Sequence, residues 1–239
     1  AVIGNGTIAN SAHGPAYFKN PLSDINYCVD IIPERAQAFK EKFNGEFAIT
    51  DYREAIADPE VDIVSICVPN YLHAPITIDC LNAGKHVLCE KPAAMNFAEA
   101  SAMKKAADDN KRILNIGVVN RFNTAVNKVK EMIEAGELGN LYHIYCSFRS
   151  YRSIPGLGGP FTTKSLAGGG VLIDWGVHFI DLIMYTIGNP PVQTVSAATY
   201  DELAKDMKNY AFTDMWAGPP DYNGTYDVED FVTGMVRTD

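Results

Sequence analysis

Paired cysteines are missing from this 239-residue sequence. Cys28, Cys67, Cys80, Cys89 and Cys146 contain no CxxC spacing, and most stand in apolar runs. That pattern excludes a disulfide framework or thiolate zinc site and points to reduced core cysteines in a cytoplasmic protein, with no metal expected. Clusters of lysine and arginine are also missing, and 20 basic against 29 acidic residues leave a formal net charge of −9. Neither a nucleic-acid backbone nor an anionic membrane surface is therefore an expected partner. No stretch is expected to reach the roughly 20 apolar residues of a membrane helix. No signal peptide, internal repeat or low-complexity tract is visible. Both ends read as cut: only Ala1-Val2-Ile3 precede the first glycine turn, and a strand-like run at 231–236 has no partner strand after it.

What is present is an ordinary globular composition, 47% hydrophobic and 21% charged. A chain of this length buries roughly 70% of its unfolded surface as one large domain or two modest ones. Its first half alternates short apolar strands (25–29, 63–68, 87–89, 113–119) with helical patterns (33–43, 74–83, 97–108), as in a doubly wound parallel sheet. After about Arg121 the pattern changes. A helix over 125–135, strands over 141–148 and 192–200 and an amphipathic stretch over 174–187 predict an α+β domain with an open, mostly antiparallel sheet, here cut short. The predicted domains are 1–121 and 122–239.

Gly4-Asn5-Gly6-Thr7-Ile8-Ala9 fits G-x-G-x-x-G/A between a strand and a helix. Gly4 permits the tight turn, Gly6 lets the backbone approach a pyrophosphate, and Ala9 allows close helix–strand packing. The N–H groups of Thr7 and Ile8 then lie at the positive end of the helix. Asp30 ends the second strand, where an acid accepts the adenosine ribose hydroxyls. A carboxylate there, followed by Ile31 and Ile32 rather than a basic residue, favours NAD over NADP.

Two further constellations carry chemistry. Lys91, in Cys89-Glu90-Lys91-Pro92, follows a strand whose carboxyl end faces the ligand crevice of such a sheet; a surface lysine before a turn proline is the plainer alternative. On a helix, Asp174, His178, Asp181 and Tyr185 share one face at i, i+4, i+7 and i+11, while Val177, Ile180, Met184 and Ile187 share the core face. An acid one turn from an imidazole makes His178 a candidate general base. A buried Asp–His tie between helices would show the same spacing.

Taken in order, the GxGxxA loop, Val68-Pro69-Asn70 with His73, Glu90-Lys91-Pro92, Asn120-Arg121-Phe122 and the Gly168-Gly169-Gly170…Asp174-x-x-x-His178…Asp181 stretch resemble the glucose–fructose oxidoreductase / inositol dehydrogenase (Gfo/Idh/MocA) family. The likeness runs to about Tyr200. It implies an NAD-dependent dehydrogenase or reductase with a Rossmann domain and a C-terminal domain that forms a homo-oligomer, dimer or higher, through its sheet. It implies Lys91, Asp174 and His178 as the catalytic set, a cis Lys91–Pro92 peptide, and Val68, Pro69, Asn70, His73, Glu90, Lys91 and Asn120 near the cofactor. It also implies a sugar, glycoside or cyclitol substrate near Lys91, Asp174 and His178, with Arg152, Phe161 and Lys164 as pocket candidates around Arg152-Ser153-Ile154-Pro155-Gly156. In the implied reaction the alcohol binds between the domains, His178 takes the hydroxyl proton, Lys91 stabilises the oxyanion and Asp174 orients the imidazole. The family's non-catalytic sensors, its NAD-retaining glycoside-processing enzymes and its biliverdin reductases stay open as alternatives. Residues 201–226 match no pattern; their Tyr210, Phe212, Trp216, Tyr222 and Tyr226 could stack on a sugar ring, but are rather expected to cover the sheet or meet another subunit.

Overall fold

The computed structural model describes residues 1–151, 154–210, 215 and 217–239. Arg152, Ser153, Phe212 and Trp216, singled out above, lie outside the described residues. The chain divides into two units, Ala1–Gly117 and Val118–Asp239.

In the first unit six parallel strands, β1 (Val2–Ile3), β2 (Tyr27–Val29), β3 (Phe47–Ile49), β4 (Ile63–Ile66), β5 (His86–Cys89) and β6 (Leu114–Ile116), lie in the order β3-β2-β1-β4-β5-β6. The register is continuous, with Val2 paired to both Cys28 and Ser65. Parallel strands require long crossovers, and these are α1 (Gly14–Lys19), α2 (Pro33–Phe43), α3 (Tyr52–Ala57), α4 (His73–Asn82) and α5 (Phe97–Asp109). Strand β3 and helix α3 escaped the pattern reading; each is short, and Phe47 is exposed. Helix α2 shows how local sequence sets an element. Pro33 opens it with a fixed φ, Asn44 ends it in the left-handed region (φ 55°), and Phe39 and Phe43 meet with ring centroids 4.7 Å apart. Burying each of those rings stabilises the unit by about 1.5–3 kcal/mol.

Val64, Ile66, Ile76, Leu81, Val87 and Met103 form the heart of the first unit's core. Cys28, Cys67, Cys80 and Cys89 are buried there. Burial pushes the Cys28 thiol up to about 11 and those of Cys80 and Cys89 to about 12, so they stay protonated. Cys146 differs from that group in being exposed.

In the second unit, helix α6 (Thr124–Glu134) begins with Asn123, whose side chain accepts from the amides of Ala125 and Val126. Helix α7 (Lys164–Ala167) leads through Gly168 (φ 87°) into a π-turn, Leu172–Gly176, and helix α8 (Val177–Thr186). Strand β7 (Val192–Tyr200) pairs antiparallel with β8 (Phe231–Thr238).

Three expectations need correction. Residues 141–148 form no strand: a strand exists through its ladder partner, and among the described residues β7 and β8 bond only to each other. The division falls after Gly117 rather than after Arg121, because the 3₁₀ turn Val119–Phe122 leads into α6 and its Arg121 pairs with Asp181 of α8. The helical run Lys164–Thr186, 23 residues with mean hydropathy 1.4, is long and apolar enough to cross a membrane by length and composition alone. Its left-handed glycine, its π-turn, its buried Asp174 and its ion-paired Asp181 give it a distinct polar character.

The 201–226 segment packs against the 154–162 loop. Ile154, Leu157, Ala204 and Tyr210 form a small core, with Met207, Met215 and Tyr226 against it. Glycine is needed where these chains cross: a Cβ on Gly158 would stand 1.9 Å from the carbonyl oxygen of Asp221.

Candidate functional site

Gly4, Asp30, Val68 and Glu90 all stand just beyond the carboxyl ends of strands, those of β1, β2, β4 and β5. β1 and β4 are neighbours on either side of the point where strand order reverses. That edge is where doubly wound sheets bind ligands.

The glycines of the loop have different causes. Gly4 has φ 88°, and a Cβ there would stand 2.5 Å from the carbonyl oxygen of Cys67, so the chain itself demands glycine. Its amide donates to Val29 O at 2.8 Å. At Gly6 a Cβ would meet no protein atom within 4 Å. Internal packing does not call for glycine at that position; the open space suits a phosphate laid against the backbone. Ala9 is fully buried, while Thr7 and Ile8 are exposed in the first helical turn. The turn from Ala9 to His13 is a π-turn, a feature often found at functional sites.

Asp30 is buried and each of its oxygens is engaged: Oδ2 accepts from the Asn5 amide and Oδ1 from the Ile32 amide, both at 2.9 Å. Asp30 therefore braces the loop as well as standing where a ribose is expected. An ionised carboxylate has about four acceptor positions, so two remain. Loop, open space and acid together fit a dinucleotide. Bound NADH is expected to exceed NADPH in affinity by about tenfold or more, because the carboxylate repels a 2′-phosphate. Titration of both nucleotides checks this, and equal affinities would overturn it. Asp30→Ala should lose the preference and also about 1–3 kcal/mol of stability, as two buried amides lose their acceptor.

Beyond β4, Asn70 starts the 3₁₀ turn Asn70–Leu72, with Val68 half-buried and Pro69 exposed. His73 lies fully buried beneath this turn. Its Nδ1 is 2.6 Å from Pro92 O and its Nε2 2.9 Å from Val68 O. Both ring nitrogens face the chain's own carbonyls, so His73 would serve a cofactor by supporting the loop. A neutral imidazole has one N–H, and which carbonyl receives it depends on the tautomer. Burial lowers the ring's pKa, against the two carbonyl bonds.

Beyond β5, the Glu90 carboxylate stands 2.8 Å from His13 Nε2 and accepts from the Lys91 amide at 3.2 Å. Burial pushes the Glu90 carboxyl up. The hydrogen bond and charge of His13, with Lys91, outweigh this and hold it below the usual range. Gly117 leaves room for that carboxylate: a Cβ there would lie 3.3 Å from it. The Lys91–Pro92 peptide is cis.

The second unit places Asp174 in the π-turn and His178 in the first turn of α8. Asp174 is buried and His178 half-buried, its ring centroid 6.0 Å from that of Trp175. Trp175 stacks on Phe148, which also stacks on Phe179. Glycines bring this turn close to its neighbour, since a Cβ on Gly170 would stand 1.9 Å from Glu229 O. The predicted polar face divides by role. Arg121 Nε donates to Asp181 at 2.7 Å, and its Nη2 also contacts that carboxylate. The Tyr185 hydroxyl donates to Asn127 at 2.9 Å. Asp181 and Tyr185 thus hold α8 to the 119–134 region. Lys164 is exposed at the start of α7, Phe161 is half-buried, and Asn120 is half-buried in the second unit.

Sequence reasoning passed over His13, Asn10 and Gly117. His13 follows buried Ala9 by four residues, which puts it on the same helix face, and that spacing was the available signal. Asn10 braces the loop, its side-chain amide donating to Asn5 O and Gly6 O. His13 and Gly117 both face Glu90, just beyond β5 and 77 positions from His13.

Comparison with known proteins follows the same division. Residues 1–118 match the model of an oxidoreductase family with an NAD-binding Rossmann fold, and residues 126–239 match a GFO/IDH/MocA C-terminal domain. D-glucoside 3-dehydrogenase of Escherichia coli is 33% identical over 238 residues, covering 99% of this chain and 66% of the relative. Levoglucosan dehydrogenase of Pseudarthrobacter phenanthrenivorans is 32% identical, covering 99% and 63%. A solved complex of levoglucosan dehydrogenase with NADH superposes with a TM-score of 0.76 at 29% identity, covering 99% of this chain and 62% of that one. The chain thus spans just under two thirds of these relatives' length.

Proposed function

Because the chain belongs to the Gfo/Idh/MocA family and its first unit is an NAD-binding Rossmann domain, we propose that it moves hydride between NAD and a secondary hydroxyl or ketone of a sugar, glycoside or cyclitol. The observation that carries the reading is the loop itself: Gly6 faces open space that internal packing does not explain, beside Asp30. The named relatives support the substrate class, since both act on sugar derivatives by name.

The nicotinamide, when bound, supplies the hydride acceptor. His178 accepts the hydroxyl proton, and Asp174 stabilises the charged imidazole. Lys91 donates a hydrogen bond to the oxygen as charge develops on it. Asn70 and Glu90 stand with Lys91 at the strand ends of the first unit, on the nicotinamide side. Arg152, Phe161 and Lys164 contribute to substrate selection. Oligomerisation through the C-terminal sheet and a cytoplasmic location belong to the same proposal. The exposed apolar side chains of Val195, Phe231 and Met235 on β7 and β8 support the first, and the buried free thiols the second.

The test is a panel of glucosides, anhydrosugars and cyclitols with NAD, followed by absorbance of NADH. Net reduction with at least one member is expected. A protein that binds NAD but forms no free NADH with any of them would be a sensor or an NAD-retaining enzyme.

A further inference from the structure

Two buried histidines converge on the segment that carries Lys91, and no part of the reaction above uses them. His13, from the first helical region, meets the Glu90 carboxylate at 2.8 Å. His73, from the start of α4, reaches Pro92 O at 2.6 Å and Val68 O at 2.9 Å. Glu90 and Pro92 are the immediate neighbours of Lys91.

We propose that His13 and His73 are positioning residues for Lys91: two imidazoles that clamp Glu90-Lys91-Pro92 from its two ends and tie it to the Val68-Pro69-Asn70 turn. The inference rests on the catalytic reading of Lys91 and adds to it what holds that lysine in place.

The physical case has three parts. The segment leaves the sheet at Glu90, whose amide is bound to Ile66 O at 3.0 Å. Past that point its backbone is irregular and must find partners in side chains. The Glu90 carboxylate supplies one by accepting the Lys91 amide at 3.2 Å, so whatever fixes the carboxylate fixes the lysine's own backbone. His13 fixes it, with side chains only 8% and 12% exposed; a charge-assisted bond in such a place is stronger than a neutral one. At the other end the buried His73 ring stands between two carbonyls of different ligand-edge loops, Pro92 O and Val68 O, and its single N–H donates to one of them, so the ring fills the space between the turn after β4 and the segment after β5. The ring has Glu90 and Lys91 as its charged neighbours. A lysine that must donate to an oxyanion needs its stem held, since a displacement of about 1 Å costs on the order of 10²-fold in rate.

The test compares His13→Leu, which fills the space without a donor, with His13→Gln, which can still donate to Glu90. His13→Leu should lower kcat about 10–100-fold, the usual cost of a lost supporting partner, with substrate KM changed less than about threefold. Its Lys91 amide, followed by NMR, should exchange with solvent about tenfold faster, as expected when one supporting bond is lost. His13→Gln should restore both to within about threefold of the native protein. Melting curves identify the folded fraction, and His13→Ala replaces the leucine variant if that one does not fold. Native kcat and native amide exchange in the donor-less variant would overturn the clamp, as would a glutamine variant no better than leucine. Lys91→Met is run beside them. If it keeps the native rate, the catalytic reading of Lys91 fails, and the clamp is then judged by amide exchange alone.

Discussion

Replacing His178 by alanine should lower kcat by about 10²–10⁴-fold while leaving NADH affinity nearly unchanged, and Lys91→Ala should fall in the same range. The two variants are expected to differ in binding. His178 belongs to the second unit, whereas Lys91 belongs to the same unit as the Gly4–Gly6 loop and sits beside Glu90 at its strand ends. NADH titration and steady-state kinetics on the same preparations separate these effects. Asp174→Asn offers the internal check, since it keeps the shape of the side chain while removing the charge that would support an imidazolium. A rate near native for His178→Ala would mean that the imidazole is structural, and the acid–base assignment would be wrong.

The second large effect contrasts two glycines two residues apart. Gly4→Ala must place a Cβ 2.5 Å from Cys67 O on a backbone with φ 88°. The left-handed conformation alone costs about 1–2 kcal/mol for a non-glycine residue, and the collision adds to it. A loss of about 2 kcal/mol or more, near 10 °C in Tm for a unit of this size, is expected. Gly6→Ala meets no protein atom, so its Tm should stay within about 1 °C of native. Its NADH affinity should nonetheless fall by about tenfold or more, since the methyl takes space the pyrophosphate would use. Thermal melts and NADH titration read both quantities. Unchanged NADH affinity in Gly6→Ala would show that the loop's open space is not where the phosphates lie, and the cofactor placement would have to be redrawn.

A doubly wound parallel sheet was implicit in the alternation of short apolar runs and helical patterns, because parallel strands joined by helices have few allowed windings; the edge position of the short β3 came only with the structure. Helix α2 was legible to the residue, since proline, phenylalanine spacing and the asparagine after it are local signals. The phosphate loop and Asp30 were legible for the same reason: each requirement is met by one residue at one place. The 141–148 segment was misread because alternation shows only that a strand would have two faces; whether it forms one depends on a partner that composition does not reveal.

What the amino-acid sequence determined by itself is therefore the class of fold, the glycine loop, and the candidate lysine, aspartate and histidine. Local conformation and side-chain chemistry specify these, and both are written residue by residue. Tertiary structure alone decided how the polar residues are spent. It drew Asp181 to Arg121, separating it by role from the aspartate seven positions before it on the expected helix face. It also set His13 against Glu90, 77 positions away, and His73 against Pro92, 19 away. Such pairs form because burying a polar group without a partner is costly, and the partner is whichever group the folded chain brings within reach.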